Sequence, residues 1–279
     1  MTTHHLTLWG CLFVIASSYL QAADRTGSGF AKSENFTVLT PKPEHAREAN
    51  EYATEVLENA ERLRSEIARH WLGRELPPRE GRTIVTISFE ADRDAGLTWA
   101  MDNPNRNYHS LYLATSPELA LGTTLTHEMV HVVLATRFPH PNRLPAWLEE
   151  GIASHYDDPE RKRQRQEQIH AFTHTRQWPR IVEVLTAENI PASDMEAYTV
   201  AASLTALLLS RDGDPQTLFA FGQYGKKHGW DAALRKYYDI HTVDQLQTIW
   251  QYALSNAPRK DATARWELED VVGGRETRG

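Results

Sequence analysis

The stretch that most constrains the fold is Thr123 to Thr136, TTLTHEMVHVVLAT, which sets two histidines and a glutamate inside an otherwise apolar helical pattern. At about 100° per residue, four steps bring His131 to within about 40° of His127 and about 6 Å further along the axis. Leu121, Leu125, Met129, Val132, Val133 and Leu134 supply a hydrophobic surround, where unpaired polar side chains are costly. Two imidazoles on one face can reach a single ion of zinc size, which would satisfy both. Glu128 lies next to His127 but points to the side, so it can touch water on such an ion without taking a coordination position.

A catalytic zinc needs a third protein ligand and one open position. After His131 come 18 residues and then Glu150, in Leu144-Pro-Ala-Trp-Leu-Glu-Glu-Gly-Ile-Ala153. That length lets the chain turn through Pro139, Pro141 and Pro145 and return on a second helix packed beside the first. Trp147, Leu148, Ile152 and Ala153 are its expected packing face, with Gly151 and Ala153 small enough for close approach. Glu149 competes with Glu150 as third ligand, but neighbours on a helix sit about 100° apart, so only one of them can face the metal.

The spacing and the surrounding residues resemble the gluzincin metallopeptidases, whose pattern is HExxH, 18 residues, then Glu in a W-L-x-E-G-x-A segment. Trp147 to Ala153 matches every fixed position of that segment. The layout is most similar to the exported bacterial peptidase MA-like proteins, sharing Leu-Pro-x-Trp-Leu-x-Glu-Gly and a later Tyr-x-x-x-x-Ser helix, here Tyr198 to Ser203. The resemblance implies an α+β, zincin-like fold: a small mixed sheet with a backing helix, and a helical C-terminal half. It implies one Zn2+ per chain on His127, His131 and Glu150, with Glu128 as general base toward a zinc-activated water. Tyr198 is the implied oxyanion donor, with His155, Tyr156 and His174 as alternatives. The expected activity is peptide-bond hydrolysis on a peptide or protein substrate. Alternatives are a non-catalytic zinc protein that binds peptides or cell-wall components, and a zinc amidase acting on a non-protein amide.

Trp99 to Asn103 resembles, at three of five positions, the segment by which gluzincin aminopeptidases hold the substrate amine. Asp102 replaces its acidic residue and is not carried over, so an endopeptidase is expected rather than an aminopeptidase. Ser110 to Ala114 reads as a strand, the expected edge element for pairing with an extended substrate.

The chain has 279 residues, 41% hydrophobic and 24% charged, which suits an ordinary globular protein with a substantial core. A net charge of −7 argues against a nucleic-acid partner. Leu6 to Leu20 is an apolar run ending in Gln21-Ala22-Ala23, which reads as a signal peptide over residues 1–23. Its removal would take Cys11, the only cysteine, and leave a mature chain without a thiol and without stable membrane insertion. Export to a periplasmic or extracellular location is therefore expected.

The remainder divides into an N-terminal α/β part, residues 24–138, ending in the motif helix, a helical part, residues 139–256, and a flexible tail, residues 257–279. Strands are expected at Phe36 to Thr40 and Thr83 to Phe89, with a long amphipathic helix from Glu44 to Leu72 between them. Asp24 to Asn35 reads as a polar linker, and Ala91 to Asn107, with its turn-forming residues, as a loop. The motif helix is expected over Leu119 to Phe138. Helices are expected at Trp147 to Tyr156, Pro159 to Phe172, Asp194 to Leu209, Pro215 to His228, Trp230 to Tyr238 and Thr242 to Leu254. The run Arg161 to Gln168 reads as one solvated, basic helix face.

Overall fold

The structure, a computed structural model, describes residues 28–41, 49–90, 95–103 and 106–256. The expected signal peptide, the first residues of the expected long helix (44–48) and the tail lie outside these. Among the described residues no helix is long and apolar enough to cross a membrane. The chain is α+β, with a small mixed sheet and many helices. It divides into two compact units, residues 1–62 with 78–125, and residues 63–77 with 126–279.

The first unit is built on five strands, β1 (Gly29–Lys32), β2 (Phe36–Thr40), β3 (Arg82–Phe89), β4 (Ala95–Asn103) and β5 (Arg106–Thr115), in the order β1-β2-β3-β5-β4. β2, β3 and β5 run parallel, and β1 and β4 add antiparallel edges. Alternation along each strand turns one face inward: Ala31, Val38, Val85 and Leu111 occupy a single rung, all buried. Helix α1 (Ala49–Leu72) leads from β2 to β3, and its buried Tyr52 packs edge-on against Phe89 at 5.6 Å.

Three expectations change here. Residues 29–32, read as linker, pair with β2, and Gly29 is required because a Cβ there would lie 1.9 Å from the Ala49 carbonyl oxygen. Residues 95–103, read as loop, form β4 through a register with β5 that runs from Ala95↔Ala114 to Asn103↔Arg106. The paired ends Asn103 and Arg106 leave no room for a loop of the expected length. Trp99 to Asn103 is thus part of a strand. The third change follows: β5 lies between β3 and β4, so its hydrogen-bonding groups are taken on both sides and Ser110 to Ala114 is not an edge.

The expected motif helix is split. Ser116 caps a short helix α2 (Pro117–Ala120) by accepting from the Leu119 N–H, Leu121 and Gly122 interrupt it, and α3 (Thr123–Arg137) carries the two histidines.

The second unit holds the end of α1, α3 from Thr126 onward and the helices that follow. These are α4 (Ala146–Ala153), continued by a 3-10 turn (Ser154–Tyr156), α5 (Pro159–Thr175), α6 (Ile181–Thr186), α7 (Met195–Asp212), α8 (Pro215–His228), α9 (Trp230–Tyr238) and α10 (Val243–Ser255). Side chains of Asp158, Asp194, Asp214 and Thr242 accept from backbone N–H groups at the starts of α5, α7, α8 and α10. Large aromatics fill the spaces between helices. Trp147 meets Phe221 and Trp230, and Trp250 meets Phe172 and Trp178. Helix α6 was not expected; its six residues are too few to display a period.

Candidate metal centre

Helices α3 and α4 bring His127, His131 and Glu150 together, with one ligand atom from each lying within 4.8 Å of the others. The Nε2 atoms of His127 and His131 are 3.4 Å apart, and each is 3.7 Å from Glu150 Oε2. A tetrahedral zinc with bonds of about 2.0–2.2 Å holds neighbouring ligand atoms about 3.3–3.6 Å apart, so the observed triangle is close to what the ion requires. Glu150 Oε2 is buried without a hydrogen-bond partner, an arrangement that costs stability unless something else occupies the acceptor. The donor set, two imidazoles and a carboxylate, suits zinc and leaves a fourth position for a water or substrate. The group can hold a metal ion.

The triangle is oriented from outside. His127 Nδ1 is 2.7 Å from Asp157 Oδ1, and because a carboxylate only accepts, the proton sits on Nδ1 and Nε2 is free to face the centre. Asp157 Oδ2 accepts from Arg165 Nη1 at 2.5 Å, and Arg165 Nη2 donates to the Ser154 carbonyl at 2.9 Å. Burial lowers the His127 pKa, but its hydrogen bond to Asp157, the Glu150 carboxylate 3.7 Å away and the nearby charges of Asp157 and Glu128 outweigh that and raise it to about 10. Burial raises the Asp157 pKa, while His127, Arg165 and Arg161 more than reverse the effect and hold the carboxyl below its usual range.

Helix α4 starts at Pro145, whose carbonyl accepts from both Leu148 and Glu149 N–H groups. Trp147, Leu148, Ile152 and Ala153 are buried as expected. Its close approach, however, is to α7 and not to α3. A Cβ on Gly151 would fall 2.1 Å from Thr205 Oγ1 and 2.6 Å from the Ala201 carbonyl oxygen. Tyr198, Ala201 and Thr205 stand at i, i+3 and i+7 on α7, one face of that helix. The contact at Gly151 therefore brings Tyr198 alongside Glu150, close enough for the carboxylate charge to act on its hydroxyl. Burial and the neighbouring carboxylates Glu150, Glu128 and Asp157 raise the Tyr198 pKa, so it is a neutral donor at any physiological pH.

Glu128 is buried on α3, and its charge acts on both His127 and Tyr198. Glu149 stays outside the triangle. Its Oε1 is buried without a hydrogen-bond partner, and burial raises its pKa. The alternative donors are otherwise engaged or exposed. Tyr156 accepts from Trp71 Nε1 at 3.0 Å, burial holds the pKa of His155 down to about 4, and His174 stacks on His170 on an exposed stretch of α5.

Sequence reasoning missed Asp157 and Arg165. Arg165 was read as part of a solvated basic face, and the structure corrects this. Arg163 is exposed between Glu160 and Glu167, whereas Arg165 is turned inward. One signal was present in Asp157-Asp158-Pro159. A helix start needs a single capping carboxylate, and Asp158 supplies it, which leaves Asp157 for another task.

Comparison with known protein families, with characterised proteins and with solved structures returned no match to this chain.

Proposed function

We propose that the protein is an exported zinc metallopeptidase of the gluzincin type that hydrolyses peptide bonds. The observation that carries this reading is Glu128, a buried carboxylate beside His127 but outside the three-residue group that can hold a metal. A site that only bound a metal would have no use for such a base. The resemblance of His127 to His131 and of Trp147 to Ala153 to the gluzincin pattern supports the same conclusion.

His127, His131 and Glu150 would hold Zn2+, which when bound would supply Lewis acidity toward a carbonyl and toward water. Glu128 accepts the proton that the attacking water loses and returns it to the leaving amine. Tyr198, whose hydroxyl lies beside Glu150, donates to the carbonyl oxygen as negative charge develops on it. Asp157 keeps the Nδ1 proton of His127 in place, so that Nε2 stays directed at the centre.

The test is cleavage of a diverse peptide library by purified, zinc-loaded protein, with and without a chelator. Cleavage that the chelator abolishes is expected. Glu128→Gln should retain about one zinc per chain and lose hydrolysis. A zinc-loaded wild type that cleaves nothing in the library would sink the peptidase reading.

A further inference from the structure

We infer that Arg165 is a positioning residue that ties the two ligand-bearing segments of the metal centre together and thereby sets its affinity for the ion. The inference rests on the metal-centre part of the reading above and is independent of turnover.

Arg165 lies on α5, which contributes no ligand, yet its side chain is only 10% exposed amid neighbours that face solvent. A buried guanidinium is tolerated only when its donors are met. Here two of them reach different targets from one rigid plane. Nη1 donates to Asp157 Oδ2 at 2.5 Å, while Asp157 Oδ1 receives His127 Nδ1 at 2.7 Å. The carboxylate is held on both oxygens and cannot rotate away from the histidine. Nη2 donates to the Ser154 carbonyl at 2.9 Å. Ser154 closes the C-terminal end of α4, its own N–H bonding back to the Glu150 carbonyl. One side chain thus fixes the residue that orients the first ligand and the end of the helix that carries the third.

The fork geometry matters because one acceptor is on the first residue of the Ser154–Tyr156 turn and the other on Asp157, just past its end. A guanidinium spans them with separate nitrogens in a fixed plane. A lysine ammonium is a single point and cannot reproduce that arrangement. Arg161 also stands near Asp157, with Nη1 3.6 Å from Oδ1, outside hydrogen-bond distance of that oxygen.

The experiment compares wild type with Arg165→Met, Arg165→Lys, Asp157→Asn and the Arg165→Met/Asp157→Asn double variant. Zn2+ affinity is read by competition with a chromophoric chelator and ligand geometry by the Co2+ absorption spectrum, with thermal unfolding of the metal-free proteins as the fold control. Arg165→Met is expected to weaken Zn2+ binding by about 10–100-fold and to shift the Co2+ bands. The double variant should bind little more weakly than Asp157→Asn alone, since Arg165 acts through Asp157. Arg165→Lys should recover only part of the affinity. Unchanged Zn2+ affinity in a folded Arg165→Met protein, or losses that add fully in the double variant, would overturn the inference. If Arg165→Met does not fold, unchanged affinity in Arg165→Lys overturns it equally. A wild type that binds Zn2+ but cleaves no peptide removes the peptidase reading and leaves this one standing, whereas a wild type that binds no Zn2+ removes both.

Discussion

His127 Nδ1 donates to Asp157 Oδ1 at 2.7 Å, thirty residues along the chain, and this contact decides which nitrogen of the ring faces His131 and Glu150. The same pairing makes the metal-free histidine hard to deprotonate, so metal and proton compete for one nitrogen.

That competition can be measured. With its pKa raised to about 10, His127 is protonated in the metal-free protein at pH 7, and Zn2+ must displace that proton from Nε2. Calorimetry in buffers of different ionisation enthalpy should show His127 releasing about one proton per Zn2+, and apparent affinity should climb roughly tenfold per pH unit from neutrality upward. The sign for the metal-free fold is opposite. The folded pKa lies above the ordinary 6.5, so this contribution to stability is full below about 6.5 and is lost as pH rises through about 10. Denaturant midpoints of metal-free protein should fall across that window.

Glu149 and Glu150 should separate cleanly by metal content. Glu150→Ala should abolish tight Zn2+ binding, and Glu149→Gln should leave it intact. Because burial raises the Glu149 pKa, its ionisation costs stability as pH rises through the folded value. Glu149→Gln should therefore be more stable than wild type at pH 7, by about 1 kcal/mol, and the difference should vanish in mild acid. Equal stability at both pH values would count against a buried, unpartnered carboxylate.

Tyr198→Phe keeps the ring and removes only the hydroxyl. If that hydroxyl stabilises developing charge, kcat should drop by about 10²–10³-fold while zinc content is unchanged. An unaltered kcat would reduce Tyr198 to a residue that packs beside Glu150.

Gly151→Ala probes how Tyr198 reaches the centre. The added methyl would meet the Ala201 carbonyl, which is backbone and cannot swing aside. Separation of α4 from α7 should cost about 1–3 kcal/mol in denaturant unfolding, typical of overpacking. Turnover should fall further than zinc binding does, since the ligands are less affected than the donor.

Local chemistry made much of this legible. The period-two run at β3, the amphipathic pattern of α1 and the turn residues around Pro145 depend on near neighbours, and each element formed where those patterns lie. β1 and β4 were missed for the opposite reason. Gly29 to Lys32 and Ala95 to Asn103 have weak strand character of their own, and pairing with β2 and β5 supplies what the residues lack. Arg165 was misread because a helix of alternating basic residues does not reveal which one turns inward until Asp157 is present to receive it.

What the sequence indicated by itself was the group His127, His131 and Glu150, which the structure brings together and which can hold a metal ion. Helical geometry and the cost of burying unpaired polar groups point to the i, i+4 histidines, and resemblance to the Trp-Leu-x-Glu-Gly segment singles out Glu150 over Glu149. Which groups hold those ligands in place was decided only by tertiary structure. Asp157 reaches His127 across thirty residues, Arg165 reaches Asp157 from a different helix, and Tyr198 arrives through the contact of Ala201 and Thr205 with Gly151. Hydrogen bonds of this kind have no period along the chain. They exist only once packing has brought their partners within about 3 Å.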